Sequence, residues 1–486
     1  MTLVSITALA VTLGGCALLA QTGPPGVGQP VAAPVARPQT QSAPANTQNP
    51  FTGSVPANDS SSTGLSLSLQ DAIQRGLKQN LGLIVGDQNT RLARARELQA
   101  RAQLLPNLTA RVADTVEQVN LQAFGFQLPA IPGFPGIPSI VGPFNVFDAR
   151  AALTQSVVDF TAINNRRAAR HSVRAAELTN KDGRDLVVLL VASAYLQVIA
   201  DQARIDEARA EVETAQALFV RASDQVKAGV APALDALRAQ VELQSEQTRL
   251  RQFQNDFAKD KLSLARLIGL PVAQSFQLAE RPAYAPMTMD LNTALEGALR
   301  GRSDYQAAEE QVRAAELSKR AAVAERYPSI GLNADYGDIG KYPYNSHGTF
   351  SITGSVRMTI WEGGRIRGDI EEADAELRQR QAEMADLKER IAFDVRGALL
   401  DLETAADQVA TATSSADLSR RALTQAQDRF SAGVADNIEV VQAQQAVVSA
   451  SQTYINSLYA HNLAKVELAR AMGMADAGVR QFLGGK

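Results

Sequence analysis

The side chains that most often carry chemistry are few here and widely spaced. His171, His347 and His461 stand far apart with no metal-ligand motif around them, and neither a phosphate-binding glycine loop nor a G-x-S-x-G elbow occurs. No cofactor and no metal site is expected, and no enzyme. The one cysteine, Cys16, sits in Leu13-Gly14-Gly15-Cys16 behind an apolar run that starts at Met1. That L-x-G-C pattern resembles a lipobox, whose cysteine is lipidated and becomes the new N-terminus. A run this short ahead of a proline-rich tract fits a secretion signal better than a membrane span. No Lys or Arg precedes the run, so simple export stays open beside lipidation. The remaining candidates are carboxylates that follow two glycines: Asp235 after Gly229, and Asp436 and Glu439 after Gly433. A carboxylate at a helix start is favoured by the helix dipole, whereas several brought together repel one another or gather cations.

Those glycines belong to a repeat. Leu69 to Pro106 recurs as Leu291 to Pro328 without a gap, and Lys227-Ala228-Gly229-Val230-Ala231 is answered by Ser431-Ala432-Gly433-Val434-Ala435. The match continues to Gly269 and Gly473. A unit of roughly two hundred residues is far longer than a solenoid repeat, so a whole structural half is duplicated. The expected divisions are a signal peptide over 1–16, a Pro-rich tether over 17–64, repeats over 65–272 and 287–473, and a tail over 474–486. The tether holds eight prolines and hardly any charge, too little apolar surface to order itself. Across 486 residues, 48 basic and 51 acidic side chains leave a net charge of −3, which gives no field to attract nucleic acid. Aromatics at 5% leave little material for a thick core.

Each repeat opens with a helix, expected over about Leu69 to Leu105 in the first copy and again up to Pro328 in the second, where proline stops it. The hydrophobic period then changes to two. Leu108, Ala110 and Val112 form one strand, and Phe147, Ala149, Ala151 and Leu153 a second. Ile330, Leu332, Ala334 and Tyr336 form a third, and Phe350, Ile352, Val356, Met358 and Ile360 a fourth. From Asn164 to Val226 no proline interrupts a helix about 90 Å long. After the signal there is no stretch of 18 apolar residues, so any membrane crossing falls to the strands, and only a closed barrel satisfies their backbone in lipid. Four strands cannot close, so several copies must share the barrel.

The last long helix carries two seams of alternating steps of three and four. One is Ile438, Val441, Gln445, Val448, Gln452, Ile455, Tyr459, Asn462 and Val466; the other is Val440, Gln444, Val447, Ser451, Tyr454 and Leu458. The first-copy counterpart reads Ala236, Gln240, Leu243, Gln247, Leu250, Gln254 and Phe257. Two seams suit a coiled-coil helix with a partner on each side, as in a tube. A broad apolar face in a solid bundle is the alternative. A helical scaffold or periplasmic adaptor that bridges membranes without a pore is the rival functional reading.

The order helix, strand, strand, long helix, Gly-Val tip, long helix, stated twice, resembles the TolC-type outer membrane efflux proteins. Its landmarks are Leu105-Pro106-Asn107-Leu108 and Tyr327-Pro328-Ser329-Ile330 at the strand entries, Ile360-Trp361-Glu362-Gly363-Gly364-Arg365 at an exit, and the two Ala-Gly-Val-Ala tips. The first exit, Val157-Val158-Asp159-Phe160-Thr161, lacks the glycine pair, and the outer loop of the first hairpin, about 120–146, is long and unusually apolar. The resemblance implies an α+β, mainly α, TolC-like fold: long helical hairpins form an α-barrel, and four strands per chain join a trimeric twelve-stranded transmembrane β-barrel. It further implies an outer membrane channel subunit of an efflux or type I secretion system, reaching into the periplasm. Its partners would be the homotrimer, a periplasmic adaptor, an inner-membrane transporter and outer membrane lipid, with no nucleic acid. The narrow periplasmic end would gate it through Asp436, Glu439, Gln442 and Asp235. Gly229, Val230, Ala231, Gly433, Val434 and Ala435 would meet the adaptor, and Cys16 would carry the lipid.

Overall fold

The computed structural model describes residues 49–56, 65–125, 138–271, 273–279, 284–432, 434 and 437–483. Cys16, Gly433, Ala435, Asp436, most of the tether and the middle of the apolar loop lie outside them; the end of the expected tether is ordered, with Pro50–Thr52 in a 3-10 helix that packs Phe51 against the core.

In the first copy the opening helix is two helices, not one. α1 (Leu69–Gln79) starts on Ser68, whose hydroxyl accepts from the Asp71 backbone N–H. It ends at Asn80, which has extended backbone and starts α2 (Leu81–Ala102). Asn80 is fully buried; its Oδ1 accepts from the Gly82 N–H at 2.9 Å and its Nδ2 donates to the Phe51 carbonyl at 2.7 Å. One amide thus satisfies the groups the break exposes, a local device that hydrophobic periodicity does not register. The Phe51 ring lies so close that a Cβ at Gly82 would come within 2.3 Å of it. The second copy breaks at the matched place, between α5 (Leu291–Gly301) and α6 (Ser303–Ala324), with Arg302 as the extended residue. Its buried guanidinium donates to Asp304 at 2.6 Å and to Asp394 at 2.9 Å.

Two three-residue strands, too short to show a period, were not foreseen. β1 (Leu65–Leu67) pairs in parallel with β4 (Phe276–Leu278), tying the start of the first repeat to its end. The four long strands are β2 (Asn107–Asn120), β3 (Ile140–Val158), β5 (Ser329–Tyr342) and β6 (Asn345–Arg357). They form one antiparallel sheet in the order β2-β3-β5-β6. The fourth strand ends at Arg357, short of the Met358 and Ile360 assigned to it from alternation. One face of the sheet exposes apolar side chains: Leu108, Val112, Phe350, Ile352 and Val356 are each at least 70% exposed. On the other face Arg150 bridges Asp148 and Asp335.

The chain leaves the sheet by α3 (Phe160–Lys227), returns on α4 (Ala233–Ile268), and repeats this with α7 (Arg365–Ser431) and α8 (Asn437–Ala471). Where the first exit lacks glycines, Asp159 caps α3 by accepting from the Ala162 N–H at 2.9 Å. At 68 and 67 residues, α3 and α7 are each about 100 Å long. Their middles hold the core. Around α3, Leu67, Val187, Val188, Val191, Tyr195, Leu264, Ile268 and Val466 pack together, and the Tyr195 hydroxyl donates to the Leu67 carbonyl. Around α7 a second cluster joins Ile391, Val395, Leu402, Ala294, Leu468 and Met472.

This packing corrects the expectation that no later segment is apolar enough to span a membrane. α3 contains an 18-residue window of mean hydropathy 1.7, but 56% of that window is buried inside the fold, as the core helix of a folded body requires. Below the core the contacts run α4 on α3, α3 on α8, and α8 on α7. α9 (Ala475–Phe482) then packs back on α8 and α3.

Candidate functional site

Two sets of features stand out: the edges of sheet and helix layer, and the two hairpin tips. β2 and β6 are the edges of the sheet, and no described strand covers either. α4 and α7 flank the helix layer in the same way. Of the seams on α8, Val440, Gln444, Val447 and Ser451 of one and Val448, Asn462 and Val466 of the other are buried, while Ile438 and Gln445 stay exposed. On α4 the expected seam is partly covered within one chain: Leu243 is buried and Ala236, Gln247, Leu250 and Phe257 are half-buried, whereas Gln240 and Gln254 are exposed. The reason is the neighbourhood, since α8 has α7 and α3 beside it and α4 has chiefly α3. The uncovered side of α4 presents Leu234, Leu237, Val241 and Leu262, and that of α7 presents Phe393, Leu400 and Leu418.

At the first tip Gly229 has φ +72, a left-handed conformation suited to glycine, and nothing crowds it. Val230 projects 74% exposed beside it; Ala231 is half-buried. At the second tip Val434 is similarly exposed. Asp235 lies in the first turn of α4, where Arg238 on the same helix approaches to 3.7 Å. Glu439 lies in the first turn of α8 and accepts from Arg429 of α7 at 2.9 Å, across the hairpin. Gln442 is exposed one turn further on. The two hairpins also touch near their ends, where the Arg221 guanidinium of α3 lies 5.6 Å from the centre of the Phe430 ring of α7. Beside the first tip an open trough of about 910 Å³ runs along α3 past Val212, Gln216, Val220 and Val230.

Arg429 and Arg221 were missed from sequence. The signal was present in one case: Arg429 and Glu439 lie four and six residues from Gly433 on opposite arms, which places them at similar height in an antiparallel hairpin. Also missed was an acidic contact higher up. Glu211 of α3 and Glu246 of α4 are both buried and share Arg249, at 3.8 and 2.8 Å. Burial first, then the charges of Glu246 and Glu207, push the Glu211 carboxyl up to about 8. Two carboxyls with one guanidinium therefore retain a proton at neutral pH. His461 is buried with no hydrogen-bond partner among the described residues, and burial, then Lys465, lower it to about 4. His171 meets Glu310 at 2.6 Å across α3 and α6. Among the described residues no three His, Cys, Asp or Glu side chains gather as metal ligands.

The sequence profile of the family described as outer membrane efflux protein matches residues 72–270 and 294–474. The probable efflux pump outer membrane protein TtgC of Pseudomonas putida is 25% identical over 97% of this chain and 95% of its own length. The pyoverdine export outer membrane protein OpmQ of Pseudomonas aeruginosa is 26% identical over 86% of this chain and 87% of its own. The Campylobacter jejuni CmeC outer membrane channel superposes with a TM-score of 0.73 at 16% identity, covering 84% of this chain and 86% of that structure.

Proposed function

The chain belongs to the outer membrane efflux protein family, and from that premise we propose that three copies close into one conduit, opened by a periplasmic adaptor and driven by an inner-membrane transporter. The chain is the outer membrane channel subunit of an efflux pump, extending into the periplasm. One observation supports a closed ring of copies, three by the family's pattern: sheet and helix layer each end in two edges that no described element covers, β2 and β6 above, α4 and α7 below. In lipid an open sheet edge leaves backbone groups unsatisfied, so β6 of one copy must meet β2 of the next until the ring closes. The exposed apolar stripes on α4 and α7 supply the matching contact in the helical wall.

Conduction then needs no reacting group, only a polar lining and a gate. Arg150 with Asp148 and Asp335 lines the face opposite the lipid-facing side chains. The gate is assigned to the tips, with Glu439 held by Arg429 and with Asp235, Asp436 and Gln442 beside them. The exposed Gly229-Val230-Ala231 and its counterpart at Gly433, Val434 and Ala435 are the adaptor contacts. Cys16 is the lipidation point. Cargo is a separate matter: the relatives' names range from pyoverdine export to a probable efflux pump with no cargo stated.

Purified full-length protein reconstituted in planar bilayers should show discrete conductance steps and migrate as a trimer. A scaffold without a pore would give a silent bilayer, and that result would end the proposal.

A further inference from the structure

At the helical end of the sheet an open cavity of about 650 Å³ lies along one face of α6, bracketed by α3 and α7. Its lining changes in polarity along the helix. Nearest the sheet are Tyr327 and Phe160, edge to face at 6.1 Å, with Val323, Ala324 and Leu377 beneath them. Next come Lys319 and Arg320, and one turn further from the sheet, about 6 Å, comes Glu316. Lys319 is committed to Asp374 at 2.6 Å. Arg320 is exposed, and neither it nor Glu316 has an ion partner among the described residues.

The geometry points to a binding site for one phospholipid of the periplasmic leaflet, and specifically for one whose phosphate carries a primary ammonium. Its acyl chain would enter between Phe160, Tyr327 and Val323, its phosphate would meet Arg320, and its ammonium would meet Glu316. The order apolar, cationic, anionic, read away from the sheet, is the order in which such a lipid presents chain, phosphate and ammonium as it leaves the membrane. Phe160 follows the end of β3 at Val158 by two residues, and Tyr327 precedes β5 by two. The rings therefore sit at the boundary of whatever membrane the sheet spans, where aromatic side chains are favoured. A guanidinium matches a phosphate in charge and shape, and the cavity volume is within the range of small-ligand sites.

The inference rests on the sheet being the membrane-spanning part. Full-length protein is reconstituted in nanodiscs of mixed phosphatidylethanolamine and phosphatidylglycerol, and the lipid retained after mild detergent extraction is counted by native mass spectrometry. Wild type should keep about one phosphatidylethanolamine per chain, undisturbed by excess inorganic phosphate. Arg320→Ala should lower retention roughly tenfold for both lipids. Glu316→Gln should remove only the preference for the ethanolamine lipid, and Val323→Trp should fill the cavity and abolish retention. Equal retention of both lipids by wild type would overturn the headgroup assignment. Retention unchanged by both Arg320→Ala and Val323→Trp, in protein that still conducts, would overturn the site. Loss of conductance in wild type would instead count against the membrane reading.

Discussion

The first hairpin and the second descend from the same sheet, yet their tip carboxylates stand in different surroundings. Arg429 reaches from α7 to Glu439 on α8 at 2.9 Å, whereas at the matched place Arg238 approaches Asp235 from the same helix at 3.7 Å. Higher up the contrast reverses. The first hairpin buries Glu211 and Glu246 between its arms, and the second has Ser415 and Ala450 at the corresponding positions. At the helix breaks one copy uses a neutral amide, Asn80, and the other a buried cation, Arg302. A duplicated fold thus keeps its path while its polar contacts diverge. The first hairpin is joined by a contact that depends on protonation, and the second by an ion pair at its exposed end.

The largest test of this contrast concerns the breaks. Arg302→Ala leaves Asp304 and Asp394 without their buried partner and should cost about 3–5 kcal/mol, against about 1–2 kcal/mol for Asn80→Ala. Unfolding of the purified protein in detergent should show that order; equal losses would mean that the two breaks are equivalent after all.

Next is the acidic contact between α3 and α4. With the Glu211 carboxyl at about 8 when folded and near its ordinary 4.5 when unfolded, the folded chain holds more protons between those values. Stability from this group is therefore present at low pH and lost as pH rises toward 8. Glu211→Gln should flatten the decline in melting temperature between pH 5 and 8 and stabilise the protein at pH 8 by on the order of 2 kcal/mol. A variant whose melting curve keeps the wild-type slope would show that the proton resides elsewhere.

The tip pair should have the smallest effect, because exposed ion pairs contribute roughly 0.2–1 kcal/mol. Arg429→Ala or Glu439→Gln should raise the open fraction in bilayer recordings by roughly two- to fivefold, and Asp235→Asn by less. If Asp235→Asn opened the channel more than either, the first hairpin would be the gate.

Much of the fold was legible because periodicity and duplication act over long stretches: proline ended α2 and α6 near their expected places, and alternation marked the four long strands. What was missed depends on single side chains or on neighbours remote in sequence. Asn80 and Arg302 break helices without glycine or proline, and β1 and β4 are too short to alternate. The seam on α4 is only partly buried within one chain because α4 has one main neighbour where α8 has two. For the tips, sequence supplied the carboxylates but not their partners: an isolated Glu439 suggests repulsion, and Arg429 beside it makes it a tie.

The two long helices are held near their midpoints, α3 around Val191 and Tyr195 and α7 around Val395 and Leu402. The bulky packing sits at mid-length, and along the arms of about 50 Å on either side the buried residues are mostly small, such as Ala162, Ala168, Ala215 and Ala222 of α3. A swing of about 5° around that point would carry the lower end by about 4 Å and the sheet end as far in the opposite sense. Force applied at the tips would then reach the roots of the strands without any helix having to bend or melt.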